Sequence, residues 1–434
     1  MFKLLVFPAS AVIFFLGAVL FFYRGTYDTP PSGEIPAHQI QAPVSTFNTI
    51  GEVPPIQHGT LLVDAGHNND YIQEEVAGFL SKISQRGYGI DFLGKFMTFG
   101  GPVTLNESVK VDRLKEGLRG ADSFLVLQPG EAYTKEEVRE IRRFVLEKGG
   151  KLLLVGDPSR TNKINSLAQG FGITFRPDYL YNQTEYDLNF QDIFISDFRA
   201  DEVTSGLGRI SLSTSGSLQS SGTGLAISSA NTQSTIVGNI EPLYVMVKSP
   251  DGSVVAIGDM TFMIPPQDAI FDNARLISNL ANFLTKNQRQ FHLEDFPHFF
   301  SDDVDIVLGR SGLVDAGGRM KSLLSLLQIG ANISAVENLE RDSVYLGLYD
   351  DAVQVTQYLQ LEGVQVGSTV LTSFAPEIEA EGTAVVILHQ SAGRQVLVVL
   401  GDTPESLDQA LDQLSSGDFR DGLLGDFVGV YRTS

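Results

Sequence analysis

Four carboxylates and one histidine fall just after apolar runs that read as β-strands, and such residues could hold a cation or move a proton. Asp64-Ala65-Gly66-His67-Asn68-Asn69 follows Leu61-Leu62-Val63. Gln128-Pro129-Gly130-Glu131 follows the run at 123–127, Gly156-Asp157-Pro158-Ser159 the run at 151–155, and Gly258-Asp259-Met260-Thr261 the run at 253–257. In an open α/β sheet, ligands bind beyond the carboxyl ends of the strands. If these strands are parallel, Asp64, His67, Asn68, Glu131, Asp157 and Asp259 share one rim. They are the candidate ligand-binding residues. Turn chemistry competes with that reading, because Asp after a strand caps the next helix and Gly before it permits a tight turn. Gly-Asp recurs at Gly401-Asp402-Thr403-Pro404, which favours capping for Asp157 and Asp402. Nothing in a Gly-Asn turn requires histidine, so His67 stays open as a binding residue.

The elements that must position this rim alternate. A helix is expected over 70–86, a strand over 89–93, a short helix over 111–118 and a strand over 123–127. Thr134-x-x-Glu137 is a capping-box pattern opening a helix that stops at Gly149-Gly150. A strand over 151–155, a helix over 163–171, a strand over 253–257 and a helix over 273–284 complete a first domain, 59–287. This alternation argues for a doubly wound, mainly parallel sheet. Residues 180–250 break the rhythm and read as hairpins at one sheet edge. A smaller, acidic α/β domain, 288–434, is expected to follow, with some antiparallel strands.

Ahead of these lies an uncharged apolar run that opens at Leu4 and closes at Tyr23, flanked by Lys3 and Arg24. Twenty residues at 1.5 Å each match a hydrocarbon core of ~30 Å, and no Ala-x-Ala cleavage pattern follows. The expectation is an uncleaved transmembrane anchor, 1–24, with its N-terminus cytoplasmic and the body extracytoplasmic. Residues 25–58 hold six prolines and read as a semi-rigid linker.

The chain carries −21 and no cysteine. The charge argues against nucleic-acid binding, since phosphate backbones are repelled. The missing cysteine excludes disulfides, zinc-thiolate sites and a thiol nucleophile. No Walker A, His-Glu-x-x-His or Gly-x-Ser-x-Gly pattern is present. No cofactor is expected, and the sequence does not settle whether a metal is bound.

The order of several short motifs carries a resemblance. It runs through Val63-Asp64-Ala65-Gly66-His67-Asn68, Arg86-Gly87-Tyr88 and Leu153-Leu154-Val155-Gly156-Asp157-Pro158. It continues with Phe171-Gly172-Ile173-x-Phe175 and Asp272-Asn273-Ala274-Arg275-Leu276-x-x-Asn279. This order resembles bacterial and archaeal membrane-anchored proteins whose soluble domain is similar to class I glutamine amidotransferases. More distantly, it is similar to gliding-motility and intraflagellar-transport proteins with a related non-catalytic domain. The resemblance covers residues 59–287 and implies an amidotransferase-like, flavodoxin-like fold. Catalytic amidotransferases place a cysteine on an elbow after a central strand, and a His-x-Glu pair later. Here the corresponding turn, Gln128-Pro129-Gly130, offers no nucleophile.

The resulting expectation is a membrane-tethered pseudoenzyme that binds or scaffolds protein partners, as an accessory subunit of an envelope or transport assembly. Two alternatives are a hydrolase or metal-dependent enzyme using Asp64, His67 and Asp259, and a small-solute-binding component of a transporter.

Overall fold

The structure is a computed structural model that describes residues 2–24, 57–94, 107–237, 242–286, 289–300, 303–391 and 393–432. Met1–Ile50 and Gly51–Ser434 are separate compact units. The first contributes one helix, α1 (Phe2–Arg24). Among the described residues no helix is long and apolar enough to cross a membrane. That finding corrects the expected transmembrane anchor, and with it the single-pass, extracytoplasmic placement. The expected Pro-rich linker lies outside the described residues except at 57–58.

The second unit opens with β1 (Gly59–Ala65), α2 (Gln73–Ser84), β2 (Tyr88–Gly94), α3 (Glu107–Gly120), β3 (Ser123–Leu127), α4 (Lys135–Leu146) and β4 (Lys151–Val155). Then come β5 (Ile173–Phe175), β6 (Leu218–Ser220), β7 (Tyr244–Lys248), β8 (Val254–Ile257) and α5 (Asn273–Thr285). They build a ten-stranded sheet ordered β2-β1-β3-β4-β8-β7-β6-β5, with Thr223–Ile227 and Asp197–Phe198 joined to it through β7. The first five strands of that order are parallel. From β7 onward the pairing is antiparallel. The sheet is therefore mixed, which corrects the mainly parallel expectation. Among the described residues no crossover helix lies between β5 and β8, and the short return from β7 to β8 can only be antiparallel.

The parallel strands read as continuous apolar runs because both faces are covered. Leu61, Val63, Leu125, Leu127, Leu153, Val155, Val255 and Ile257 share one core with residues of α2 and α5. The alternate positions Leu62, Phe124, Val126, Leu152, Leu154 and Ala256 share another with residues of α3 and α4. Period-two alternation distributes one run of side chains between two layers.

A second sheet follows from β9 (Val304–Leu308), α6 (Val314–Leu326), β10 (Ala331–Ser334), β11 (Ser343–Leu348) and α7 (Thr356–Leu361). It is completed by β12 (Thr383–Ser391), β13 (Arg394–Gly401), α8 (Pro404–Ser416) and β14 (Val428–Arg432). The order is β10-β9-β11-β13-β12-β14, parallel up to β13 and antiparallel beyond it. A buried ion pair joins the regions on either side of residue 287, Lys148 to Asp295 at 2.7 Å, and Arg289, on the same side as Asp295, meets that carboxylate at 3.1 Å.

Candidate functional site

After β1 the chain moves to β2 on one side, then returns to β3 on the other. Such a reversal opens a crevice beyond the strand ends, the usual ligand position in this architecture. Here the chain fills that crevice with its own polar side chains. Asp64, at the end of β1, is fully buried, and His67 is 2% exposed. His67 Nδ1 lies 2.9 Å from Asp64 Oδ1, and its Nε2 lies 3.2 Å from Glu137 Oε1. Tyr133 donates its hydroxyl to Asp64 Oδ2 at 2.6 Å and stacks on the imidazole, with ring centroids 3.8 Å apart. Asn69 donates to Asp64 Oδ2 at 3.0 Å and to the Leu127 carbonyl at 2.7 Å. Tyr71 donates to the Asp64 carbonyl at 2.6 Å. The loop after β1 is thereby tied to the end of β3.

Glu137 reaches His67 through the capping box read from the sequence. Thr134 Oγ1 accepts the Glu137 N–H at 3.2 Å, and Glu137 Oε2 accepts the Thr134 N–H at 2.7 Å. The other carboxylate oxygen, Oε1, is left free to face the imidazole. Burial alone would depress the His67 pKa. The Asp64 charge and the hydrogen bonds from Asp64 and Glu137 outweigh it and raise the pKa to about 9. Burial likewise pushes Asp64 and Glu137 upward, and the interaction with His67 brings both below their ordinary values. His67 is therefore an imidazolium donating from both nitrogens. With no free lone pair it can serve neither as a base nor as a metal ligand.

The other rim residues divide. Asn68 is exposed in a left-handed turn, φ 50°. Gly130 packs so closely that a Cβ there would lie 2.4 Å from the Asn68 carbonyl oxygen. Glu131 pairs with Lys110 and donates its backbone N–H to the His67 carbonyl at 2.9 Å. Asp157 and Asp259 end adjacent strands in matching turns. Asp157 Oδ1 accepts the Ser159 N–H at 2.8 Å and hydroxyl at 2.5 Å. Asp259 Oδ1 accepts the Thr261 N–H at 2.7 Å and hydroxyl at 2.6 Å. These are Asx turns, so the turn chemistry of Gly-Asp-x-Ser/Thr accounts for both positions. The pair nevertheless interacts: burial, then the Asp157 charge, pushes the Asp259 pKa up to about 7. Asp157 Oδ2 is buried without a hydrogen-bond partner. Asp402 accepts the Gly382 N–H at 3.0 Å, while Thr403 caps α8.

Sequence reasoning missed Asn69, Tyr71, Tyr133 and the second role of Glu137. Only Glu137 carried a signal, as the third residue of the capping box. Gln128, at the turn where an amidotransferase nucleophile would stand, has a positive φ of 44° and is fully buried. Neither polar atom of its side chain has a partner. A His-x-Glu sequence does occur, at His292-Leu293-Glu294. Its neighbours Arg289 and Gln290 bond to Ala121 and Lys148, which precede β3 and β4, so it belongs to the opposite end of the sheet from Gln128. Among the described residues no group of three or more His, Cys, Asp and Glu is arranged to hold a metal ion.

No family model matches the chain, and no curated protein does. Among solved structures, the mmIFT52 N-terminal domain matches at 14% identity and a TM-score of 0.41, covering 53% of this chain and all of that one. The structure of CpGH84D matches at 18% identity and a TM-score of 0.23, covering 31% of this chain and 20% of that one. At these scores neither likeness supports a shared family or activity.

Proposed function

We propose that this chain is a non-catalytic α/β protein that binds or scaffolds protein partners. One observation carries the reading: the crevice between β1 and β3 is occupied by a buried histidine with a carboxylate on each ring nitrogen. A base must offer a lone pair to substrate, and this imidazole has none to offer. The absence of cysteine and the apolar-to-Gln128 strand end support the same reading, because no activated nucleophile stands at that turn. It retains the pseudoenzyme character that the resemblance to amidotransferases implies.

The test combines glutamine turnover with fluorophosphonate labelling of the purified chain. The expected result is no ammonia release and no labelled serine. Labelling of a single serine, lost when that serine becomes alanine, would overturn the proposal.

A second reading has one observation in its favour. Asp259 keeps its proton up to about pH 7 beside Asp157, the arrangement an acid–base carboxylate pair needs. A hydrolase of this kind would lose activity in both Asp157→Asn and Asp259→Asn, whereas a scaffold would bind its partner equally well in both.

A further inference from the structure

Three buried polar groups end neighbouring strands of the first sheet without the partners that burial requires. β4 and β8 run in register, Val155 beside Ile257, so Asp157 and Asp259 stand at matching positions on strands about 4.8 Å apart. Both are fully buried. Their turns use Oδ1 of each. Asp259 Oδ2 accepts the Ser213 N–H at 2.9 Å, and Asp157 Oδ2 accepts nothing. Arg160, the nearest cation in sequence, turns instead to Glu75 at 2.6 Å and to the Asp70 carbonyl at 3.0 Å. Burying charge without a counter-charge is strongly unfavourable. On the other side of β4, Gln128 ends β3 and donates its N–H to the Val155 carbonyl at 3.1 Å. Its amide is fully buried with neither atom paired, at a backbone φ of 44°. Turn chemistry explains an aspartate after a strand, but not this glutamine. The loop that leaves Asp157 returns to the same place, where Lys163 donates to the Pro129 carbonyl at 2.6 Å.

We propose that Asp157, Asp259 and Gln128 bind one hard divalent cation, of the calcium class, between the ends of β3, β4 and β8. The donor chemistry selects the class. Two carboxylates and an amide carbonyl offer only oxygen, which hard cations prefer, and no nitrogen or sulfur for zinc or copper. Charge selects the valence, since two carboxylates balance two positive charges. Full burial favours calcium over magnesium, which gives up its waters reluctantly. The set has only two acidic members, so it lies outside the groups of three or more His, Cys, Asp and Glu that are absent among the described residues. It shares no residue with the His67 triad and holds whether the chain is a scaffold or an enzyme.

Thermal unfolding of the full-length chain, stripped with EDTA and held at constant ionic strength with sodium chloride, tests this. Calcium chloride should raise Tm to a plateau, and isothermal titration should count one ion per chain. Asp157→Asn should lose the shift. Asp402→Asn, which alters a Gly-Asp turn of the second sheet, should keep it. Gln128→Leu removes one neutral oxygen and should weaken calcium binding at least about tenfold. A wild type without a saturable shift would overturn the proposal. An equal shift in Asp157→Asn would overturn it too, since it would show diffuse attraction to a chain of −21. So would a larger shift with magnesium chloride than with calcium chloride. Should Asp157→Asn fail to fold, Gln128→Leu decides, and an unchanged calcium affinity there would reject the site.

Discussion

The imidazole of His67 is held between two carboxylates from distant parts of the chain, Asp64 at 2.9 Å and Glu137 at 3.2 Å. All three side chains are at most 2% exposed. A charged group buried so deeply is stable only while its partners remain, and several measurable consequences follow from that dependence.

The first is a stability that depends on pH. The His67 pKa is raised from 6.5 to about 9 on folding, so the native state binds the extra proton. The contribution is fully present below about pH 6.5 and is lost as pH rises through about 9. It amounts to about 3 kcal/mol. Urea midpoints measured from pH 6 to 10 should fall across this window in the wild type. A flat profile would mean that the imidazole is neutral in the native state.

Removing the cation should be costly. His67→Ala leaves Asp64 and Glu137 buried and facing each other without a counter-charge, and broken buried pairs typically lose about 3–5 kcal/mol. Chemical denaturation at pH 7 measures it. A loss below about 1 kcal/mol would show that His67 is not the counter-charge of Asp64 and Glu137.

Asp64 sets the acid limb. Its pKa is lowered in the fold, so its contribution is present above the ordinary aspartate value and disappears as pH falls below it. Asp64→Asn should flatten the acid limb of the stability profile and also bring the His67 pKa down. Carbon-detected NMR of the His67 ring reports the second effect, and an unmoved titration would contradict the assignment of cause.

Thr134 should matter twice. Thr134→Ala removes the acceptor of the Glu137 N–H, at a typical cost of about 1 kcal/mol. It also loosens the carboxylate that faces His67. The His67 pKa should therefore fall in this variant, whereas a plain capping loss such as Thr403→Ala should leave it unchanged.

The last expectation concerns Asp157 and Asp259. Burial is the larger reason for the raised Asp259 pKa, and the Asp157 charge is the next. Asp157→Asn should lower the Asp259 pKa from about 7 without returning it to an ordinary value. An acid whose pKa is raised on folding loses stability as pH rises from its ordinary value to the raised one, and the full cost stands above it. The variant should therefore gain relative stability above pH 7, read from denaturation at pH 6 and pH 8.

The sequence by itself determined the local structure. The strands at 123–127 and 151–155 and the capping box at Thr134 are visible because apolar runs, glycine stops and caps act over a few residues. It also placed Asp64 and His67 together, three positions apart in one turn. Only the tertiary structure decided what they do. Glu137 lies seventy positions from His67, and the two meet because β3 returns beside β1, an arrangement that neighbouring residues do not specify. Strand order likewise set Asp157 against Asp259 and turned half of the first sheet antiparallel. The apolar run near the start shows the opposite limit: hydropathy alone suggested an anchor, yet no described helix is long and apolar enough to cross a membrane. Burial decided the rest, since a histidine and two carboxylates in water could bind a ligand, whereas the same three packed under Tyr133 satisfy one another.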